Sequence, residues 1–264
     1  MKNTIILLAF SLLAFSCEKV IHIDLNEANP RYVMEGNIIA GNTSIQLKIS
    51  KTTSYFNPTS PELVNNAIVT ISDGTNITPV ASIGNGIYSV TNYSPQIGKT
   101  YVVKVDVEGN TFEANAVIPD SVSILTTELI DAGEVRFTFN DPLNANNYYR
   151  IKQFVNTYTE NNNSGGFILD DFGLDGTQVE EFVFFGSYDV DQPINTINSG
   201  DTLYLELQHI NLETYTFLST LETVTDGEGE FGVATPANPT QNWSNNGLGY
   251  LGGGSKSIRI LVVP

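Results

Sequence analysis

Hydrophobic residues recurring at every second position, Gly, Asn and Pro standing between such runs, and one isolated helical stretch make this 264-residue chain an all-β protein. The expected arrangement is an immunoglobulin-like or transthyretin-like sandwich over residues 31–119, then a second β-sandwich-like domain with one helix over residues 120–264. The length allows each domain a core of its own. With 41% hydrophobic residues, 14 Phe and 12 Tyr, the chain has the material to build both.

The N-terminus reads as a targeting segment. Lys2 gives a short basic start, and Ile5 to Phe15 form an apolar run shorter than the about 20 residues a membrane-spanning helix needs. The run matches the hydrophobic region of a secretory signal. Ala14 and Ser16 stand at −3 and −1 before Cys17, the one cysteine of the chain. This is the layout of a bacterial lipoprotein signal. Residues 1–16 are expected to be removed and Cys17 to be lipidated, with residues 17–30 forming a tether that ends in Asn29-Pro30. Several acyl chains on one residue anchor stably, at about 0.8 kcal/mol per buried CH₂. Cleavage takes away Lys2 and no acid, so the net charge moves from −17 to −18.

Beyond Pro30 the period of two takes over. Strands are expected at Tyr32–Ile39, Ser44–Ile49, Ala67–Ser72 and Gly86–Val90. Tyr101, Val103, Val105 and Val107 then face one way, and Phe112, Ala114, Ala116 and Ile118 resume the pattern after Gly109-Asn110, a hairpin signal. Ile118-Pro119 closes the first domain. In the second, Val135, Phe137 and Phe139 alternate before the turn Asn140-Asp141-Pro142, and further strands are expected at Tyr148–Val155, Val179–Phe185, Thr202–Gln208 and Ser257–Val263. Asn211 can cap a helix over residues 211–224, with Leu212, Tyr215, Leu218 and Leu221 on its core-facing side. The segments Glu160–Gly166 and Asp226–Asn246 read as long loops, where ligand contacts usually gather. Trp243, the one tryptophan, and Tyr250 nearby are the candidate ligand-binding residues, since aromatic faces suit sugar or peptide.

Charge excludes several functions. Twelve Lys and Arg against 29 Asp and Glu leave no basic patch for a phosphate backbone, so no nucleic-acid partner is expected. Between Lys152 and Lys256 there are fifteen Asp and Glu and no Lys or Arg, a field that favours a cationic partner. One Cys and two His cannot build a Cys-rich zinc site, and no nucleophile motif is present. Glu180 and Glu181 are adjacent, and neighbours on a strand point to opposite faces, so they cannot flank one glycosidic bond. No enzyme is expected. Gly98-Lys99-Thr100 lacks the upstream glycine of a phosphate loop. Gly247-Leu248-Gly249-Tyr250-Leu251-Gly252 satisfies the dinucleotide fingerprint without its helix, and reads as a glycine-rich turn around Tyr250. Asp170, Asp171 and Asp175, before Gly176, are candidate calcium ligands in a loop that is not an EF-hand, because position twelve carries Phe182.

These runs resemble a family of Bacteroidota lipoproteins, the domain-of-unknown-function family 4249. Tyr32-Val33-Met34-Glu35-Gly36 is similar to its first strand, and Ala67-Ile68-Val69-Thr70-Ile71-Ser72-Asp73-Gly74 to its A-x-V-x-I-x-D-G strand. Gly86-Ile87-Tyr88 and Gly98-Lys99-Thr100-Tyr101 resemble its paired G-x-Y and G-x-x-Y. Asp141-Pro142 with Asn147-Tyr148-Tyr149-Arg150-Ile151 resembles its D-P … N-Y-Y-x-I motif, and Gly247-Leu248-Gly249-Tyr250 its final G-x-G-Y run. The resemblance implies an outer-membrane lipoprotein, facing the periplasm or the cell surface, accessory to a TonB-dependent receptor in nutrient capture. It implies no catalytic residue. The alternative is an adhesion or structural surface module stabilised by calcium.

Overall fold

The computed structural model of the full chain describes residues 29–53, 60–131, 133–143, 145–161, 166–185, 197–226 and 238–264. The signal, Cys17, His22 and most of the tether lie outside the described residues. Among the described residues, no helix is long and apolar enough to cross a membrane.

The first sandwich is built from β1 (Tyr32–Ala40), β2 (Ser44–Lys51), β3 (Glu62–Leu63), β4 (Ile68–Ser72), β5 (Ile77–Gly84), β6 (Ile87–Thr91), β7 (Thr100–Val107) and β8 (Asn110–Val117). Its alternating residues do what the pattern requires. Tyr101, Val103, Val105 and Val107 are buried opposite Ala116, Ala114, Phe112 and Asn110. The hairpin between them turns at Glu108 and Gly109, both with positive φ (50° and 80°), so Asn110 belongs to the strand and not to the turn. β5 had no clear signature because it serves two sheets. Residues 77–80 pair with β4, residues 81–84 pair with β6, and Pro79 precedes the switch.

The second sandwich sets the three-stranded sheet β9 (Ile124–Asp131), β10 (Glu134–Asn140) and β13 (Gln178–Phe184) against β11 (Tyr148–Val155), β12 (Phe167–Asp170), β14 (Thr202–Ile210) and β15 (Leu248–Val262). Phe137, Phe139, Tyr149, Ile151, Leu203, Leu205 and Leu207 fill the space between, each fully buried. The strands β9 and β12 escape the sequence pattern. β9 carries two register shifts that break its alternation, and β12 is four residues long.

Helix α1 (Leu212–Asp226) follows β14 and is capped as expected. Asn211 Oδ1 accepts the Thr214 amide at 3.2 Å, and the Asn211 carbonyl accepts the Tyr215 amide at 3.1 Å. The buried side is rotated from the expected one. Thr214 and Phe217 are buried, Leu212 is half exposed, and Phe217 stacks on Tyr250 with ring centroids 4.1 Å apart.

The C-terminal strand changes the domain picture. Residues 248–255 of β15 run parallel to β1, and residues 254–262 run antiparallel to β14, so one strand threads both sandwiches into a single twelve-stranded sheet. Trp243 and Leu251 pack in the first core. A division of the chain at 119/120 therefore misplaces this last segment. The strand also starts nine residues before the expected Ser257, because the glycine run is not a turn. Gly249, Gly252, Gly253 and Gly254 sit where another chain segment approaches closely. A Cβ on Gly249 would lie 2.2 Å from the Met34 carbonyl oxygen, and one on Gly253 would lie 2.2 Å from that of Val117. Side chains complete the join. Glu160 accepts bonds from the Thr43 amide and hydroxyl and from Lys256, and Asp120 carbonyl oxygen accepts from Ser255 at 2.9 Å.

Candidate functional site

The turn that ends β10 begins with Asp141, buried beneath the loop it opens. Its Oδ1 accepts the Tyr149 hydroxyl at 2.5 Å and its Oδ2 accepts the Gly176 amide at 3.0 Å. Asn147, before β11, donates through Nδ2 to the carbonyls of Pro142 and Ala145, closing residues 142–147 on themselves. Its amide donates to Asp171 Oδ2 at 3.0 Å, and its carbonyl accepts the Asp171 amide at 3.1 Å. Two loops at one pole of the second sandwich are thus clipped together, at the end that faces the first.

Two neighbouring cavities of about 450 Å³ each open at this pole, and Ala145 and Asn146 line both. The first lies at the junction of the sandwiches, between Pro119 and Asp120 on one side and Tyr148, His209 and Leu212 on the other. The second is walled by Asp171, Phe172 and Asp175. Phe172 is 92% exposed, and Leu143 and Leu212 nearby are also exposed. The cleft therefore joins an acidic wall, amide groups and an uncovered aromatic face. Domain junctions are where such pockets commonly form.

His209 is the cleft's imidazole. Its Nδ1–H donates to the Asp120 carbonyl at 2.7 Å, since a carbonyl can only accept, and its ring stacks on Tyr149. Burial lowers its pKa from the ordinary 6.5, against a smaller upward push from the Asp120 carbonyl, so the ring is neutral at pH 7. Burial, then the bond to Asp141, push the Tyr149 hydroxyl well above the usual tyrosine range. Among the described residues, no Ser, Thr, Cys or Lys lines either cavity.

The structure regroups the expected calcium ligands. Asp171 and Asp175 do converge, but the third carboxylate is Asp141, and the oxygens of the three lie within 4.8 Å of one another. Asp170 is on β12 and turns away, with Oδ2 accepting the Tyr215 hydroxyl at 3.1 Å. The donor set is all oxygen, and the hydrogen bonds that Asp141 and Asp171 accept leave each carboxylate further lone pairs. It therefore fits a hard cation whose coordination shell water would complete. Nothing local in the sequence links Asp141 to a loop thirty residues on. The antiparallel pairing of β10 with β13 makes that link, placing Asn140 opposite Gln178.

Trp243 and Tyr250 are not at the cleft. Trp243 is 5% exposed in the first core and donates Nε1–H to the Met34 carbonyl at 2.9 Å. Tyr250 is 3% exposed, sealed beneath Phe217, and its hydroxyl accepts from Asn37 at 2.9 Å. Neither offers a face to a ligand. The stretch Asn242–Asn245 is a strap rather than a contact loop. Ser244 exchanges bonds with the Glu113 backbone, and Asn245 donates to the Thr111 carbonyl, covering the outer edge of β8.

The residues that carry the family resemblance are turn and core closers. Asp73 Oδ1 accepts the Thr75 and Asn76 amides, which hold its pKa at about 2, and the Tyr88 hydroxyl ties Val64 to Ala67. Asp141, Pro142, Asn147 and Tyr148 differ from these, because they build the cleft wall.

Among known proteins, a family model described as Domain of unknown function (DUF4249) matches residues 18–259. No curated protein matches the chain. Two solved structures are similar at low levels. One is a two-domain fibronectin type-III segment of chicken tenascin, 11% identical, covering 69% of this chain and 91% of its own, with a TM-score of 0.21. The other is a candidate carbohydrate binding protein from Bacteroides uniformis, 7% identical, covering 88% of this chain and 98% of its own, with a TM-score of 0.26.

Proposed function

The chain belongs to the DUF4249 family, and we propose that it is a non-enzymatic outer-membrane lipoprotein that assists a TonB-dependent receptor by holding nutrient near it. The observation that carries this reading is the cleft at the junction. It is walled by the Asp141–Tyr148 loop, rimmed by exposed Phe172, and held in shape by a strand common to both sandwiches. The bond from Nδ1 to the Asp120 carbonyl leaves Nε2 of His209 able to accept a proton, but among the described residues no Ser, Thr, Cys or Lys lines either cavity to serve as a nucleophile beside it. The anchor follows from Cys17. The expected outcome for Cys17→Ala is loss of the protein from the membrane pellet into the soluble fraction. Undiminished retention of this variant would remove the anchor from the proposal.

A second reading has its own support in the convergence of Asp141, Asp171 and Asp175: a surface module stabilised by calcium. Extracellular calcium modules bind in the 10⁻⁴–10⁻³ M range. A few millimolar calcium is then worth about 1–2 kcal/mol, or a rise of a few degrees in the melting midpoint. Asp141→Asn should abolish that rise. A midpoint indifferent to calcium and to chelator rejects this reading and leaves the first standing.

A further inference from the structure

The outer face of the three-stranded sheet, remote from the cleft's lining, carries an unusual mixture. By register, Phe182 lies beside Arg136, which lies beside Glu128, and in the next row Phe184 lies beside Glu134. Glu180 stands in the row before, next to Thr138. Ile130 joins them at the bulge opposite Glu134. Phe182, Phe184 and Ile130 are 42%, 51% and 45% exposed. Side chains on one face of neighbouring strands are about 5 Å apart, so these form one patch. Its single cation, Arg136, is bonded to Glu128 and is 4.0 Å from Glu180. Among the described residues, no ion pair includes Glu134. The patch is therefore apolar and aromatic within an acidic border, with three carboxylates against one guanidinium.

We propose that this face docks a basic protein surface, with arginine or lysine side chains lying over Phe182 and Phe184 and reaching Glu128, Glu134 and Glu180. Cations are attracted to aromatic faces, and nearby carboxylates add to the attraction. The chemistry excludes other occupants. A second copy meeting this face with the same face would set three carboxylates against three, with one guanidinium on each side. Anionic lipid and nucleic acid are repelled for the same reason. Three strands wide and about 24 Å long, the face offers on the order of 350 Å². That is less than half of the ~800 Å² each partner gives to a standard stable interface, so the contact is weak and quickly reversed.

The test uses the whole chain and a fluorescent peptide of alternating arginine and serine. Wild type should bind it in the micromolar range, more weakly as salt rises. Phe182→Ser with Phe184→Ser should weaken binding at least fivefold, and Glu128→Gln, Glu134→Gln and Glu180→Gln together at least tenfold. Glu113→Gln, Glu213→Gln and Glu222→Gln remove equal charge from exposed positions elsewhere and should change it less than twofold. Equal weakening by this last set would reduce the attraction to net charge and overturn the proposal. So would an unchanged affinity without the two phenylalanines, or no binding by wild type. All the substitutions but Glu134→Gln are at exposed positions, Glu134 being half-buried, and unchanged melting curves would exclude misfolding. The cleft reading is unaffected by any of these outcomes.

Discussion

Gly253→Ala is expected to lower the melting midpoint of the entire protein by about ten degrees, although it adds one methyl group. The added Cβ would lie 2.2 Å from the Val117 carbonyl oxygen and 3.2 Å from its amide nitrogen, both backbone atoms of β8. Neither can step aside like a flexible side chain. On its other sides Gly253 is paired with Ile38 of β1, donates its amide to Asn211 Oδ1 and accepts the Asn211 amide. The strand cannot move away from β8 without leaving β1 and uncapping α1. Overpacking typically costs about 1–3 kcal/mol, and a clash with fixed backbone atoms puts this case at ~3 kcal/mol or more, a large part of the 5–15 kcal/mol that typically holds a domain together. At roughly 2–4 degrees per kcal/mol the midpoint falls by about ten. Gly98→Ala is the control. Its φ of 74° is unfavourable for alanine, yet nothing lies within 4 Å, so the cost should stay near 1 kcal/mol. Urea melts followed by Trp243 fluorescence, which reports the first core, and by far-ultraviolet dichroism should shift together in Gly253→Ala. A shift in one signal alone would show that the strand does not couple the sandwiches.

The second large effect is a stability that rises with pH above neutrality. Beneath α1 and the 158–160 segment the sheet buries charge: Arg150, Lys152 and Glu206 are 4%, 2% and 0% exposed. Glu206 accepts bonds from Tyr158 and Gln208, and Lys256 bonds Tyr158 and Glu160. Burial pulls Lys152 down from 10.5 to about 8, with Glu206 opposing and Arg150 and Lys256 adding to the fall. Between those two values the unfolded chain holds a proton that the folded one has released. Stability therefore rises with pH from about 8 towards 10.5, by up to ~3 kcal/mol. Tyr149 and Tyr158 set the upper limit. Burial first, and then their carboxylate partners, raise both above the ordinary 10, so the unfolded chain loses those protons first and stability falls beyond pH 10. The expected profile climbs from pH 8 to a maximum between 9 and 10. Lys152→Met should flatten the climb while Glu206 keeps Tyr158 and Gln208 as donors. An equal slope in that variant would assign the climb to other groups.

The sequence carried the period of two, and with it most strands, because β7 and β8 bury every second side chain. It carried the helix as well, because Asn211 is a cap whatever surrounds it. It could not carry β5, whose alternation breaks where it changes sheet, nor the reach of β15. The glycines at 249–254 look like a flexible turn until Met34 and Val117 are seen pressing on them. The site was only half readable. Asp171 and Asp175 are local, but Asp141 joins them through strand pairing and Asp170 leaves them for Tyr215. Trp243 and Tyr250 were attractive as aromatics, and the pull of the core on large side chains claimed both. Phe172, the aromatic that does face solvent, stands between a turn and a glycine with no motif to mark it.

The proposed partnership with an outer-membrane receptor is checked by purifying the tagged protein from native membranes in mild detergent. The expected result is a β-barrel receptor recovered with it in comparable amount, and missing from the same preparation of Cys17→Ala. Recovery of the lipoprotein alone, with the receptor intact in the membrane fraction, would contradict it.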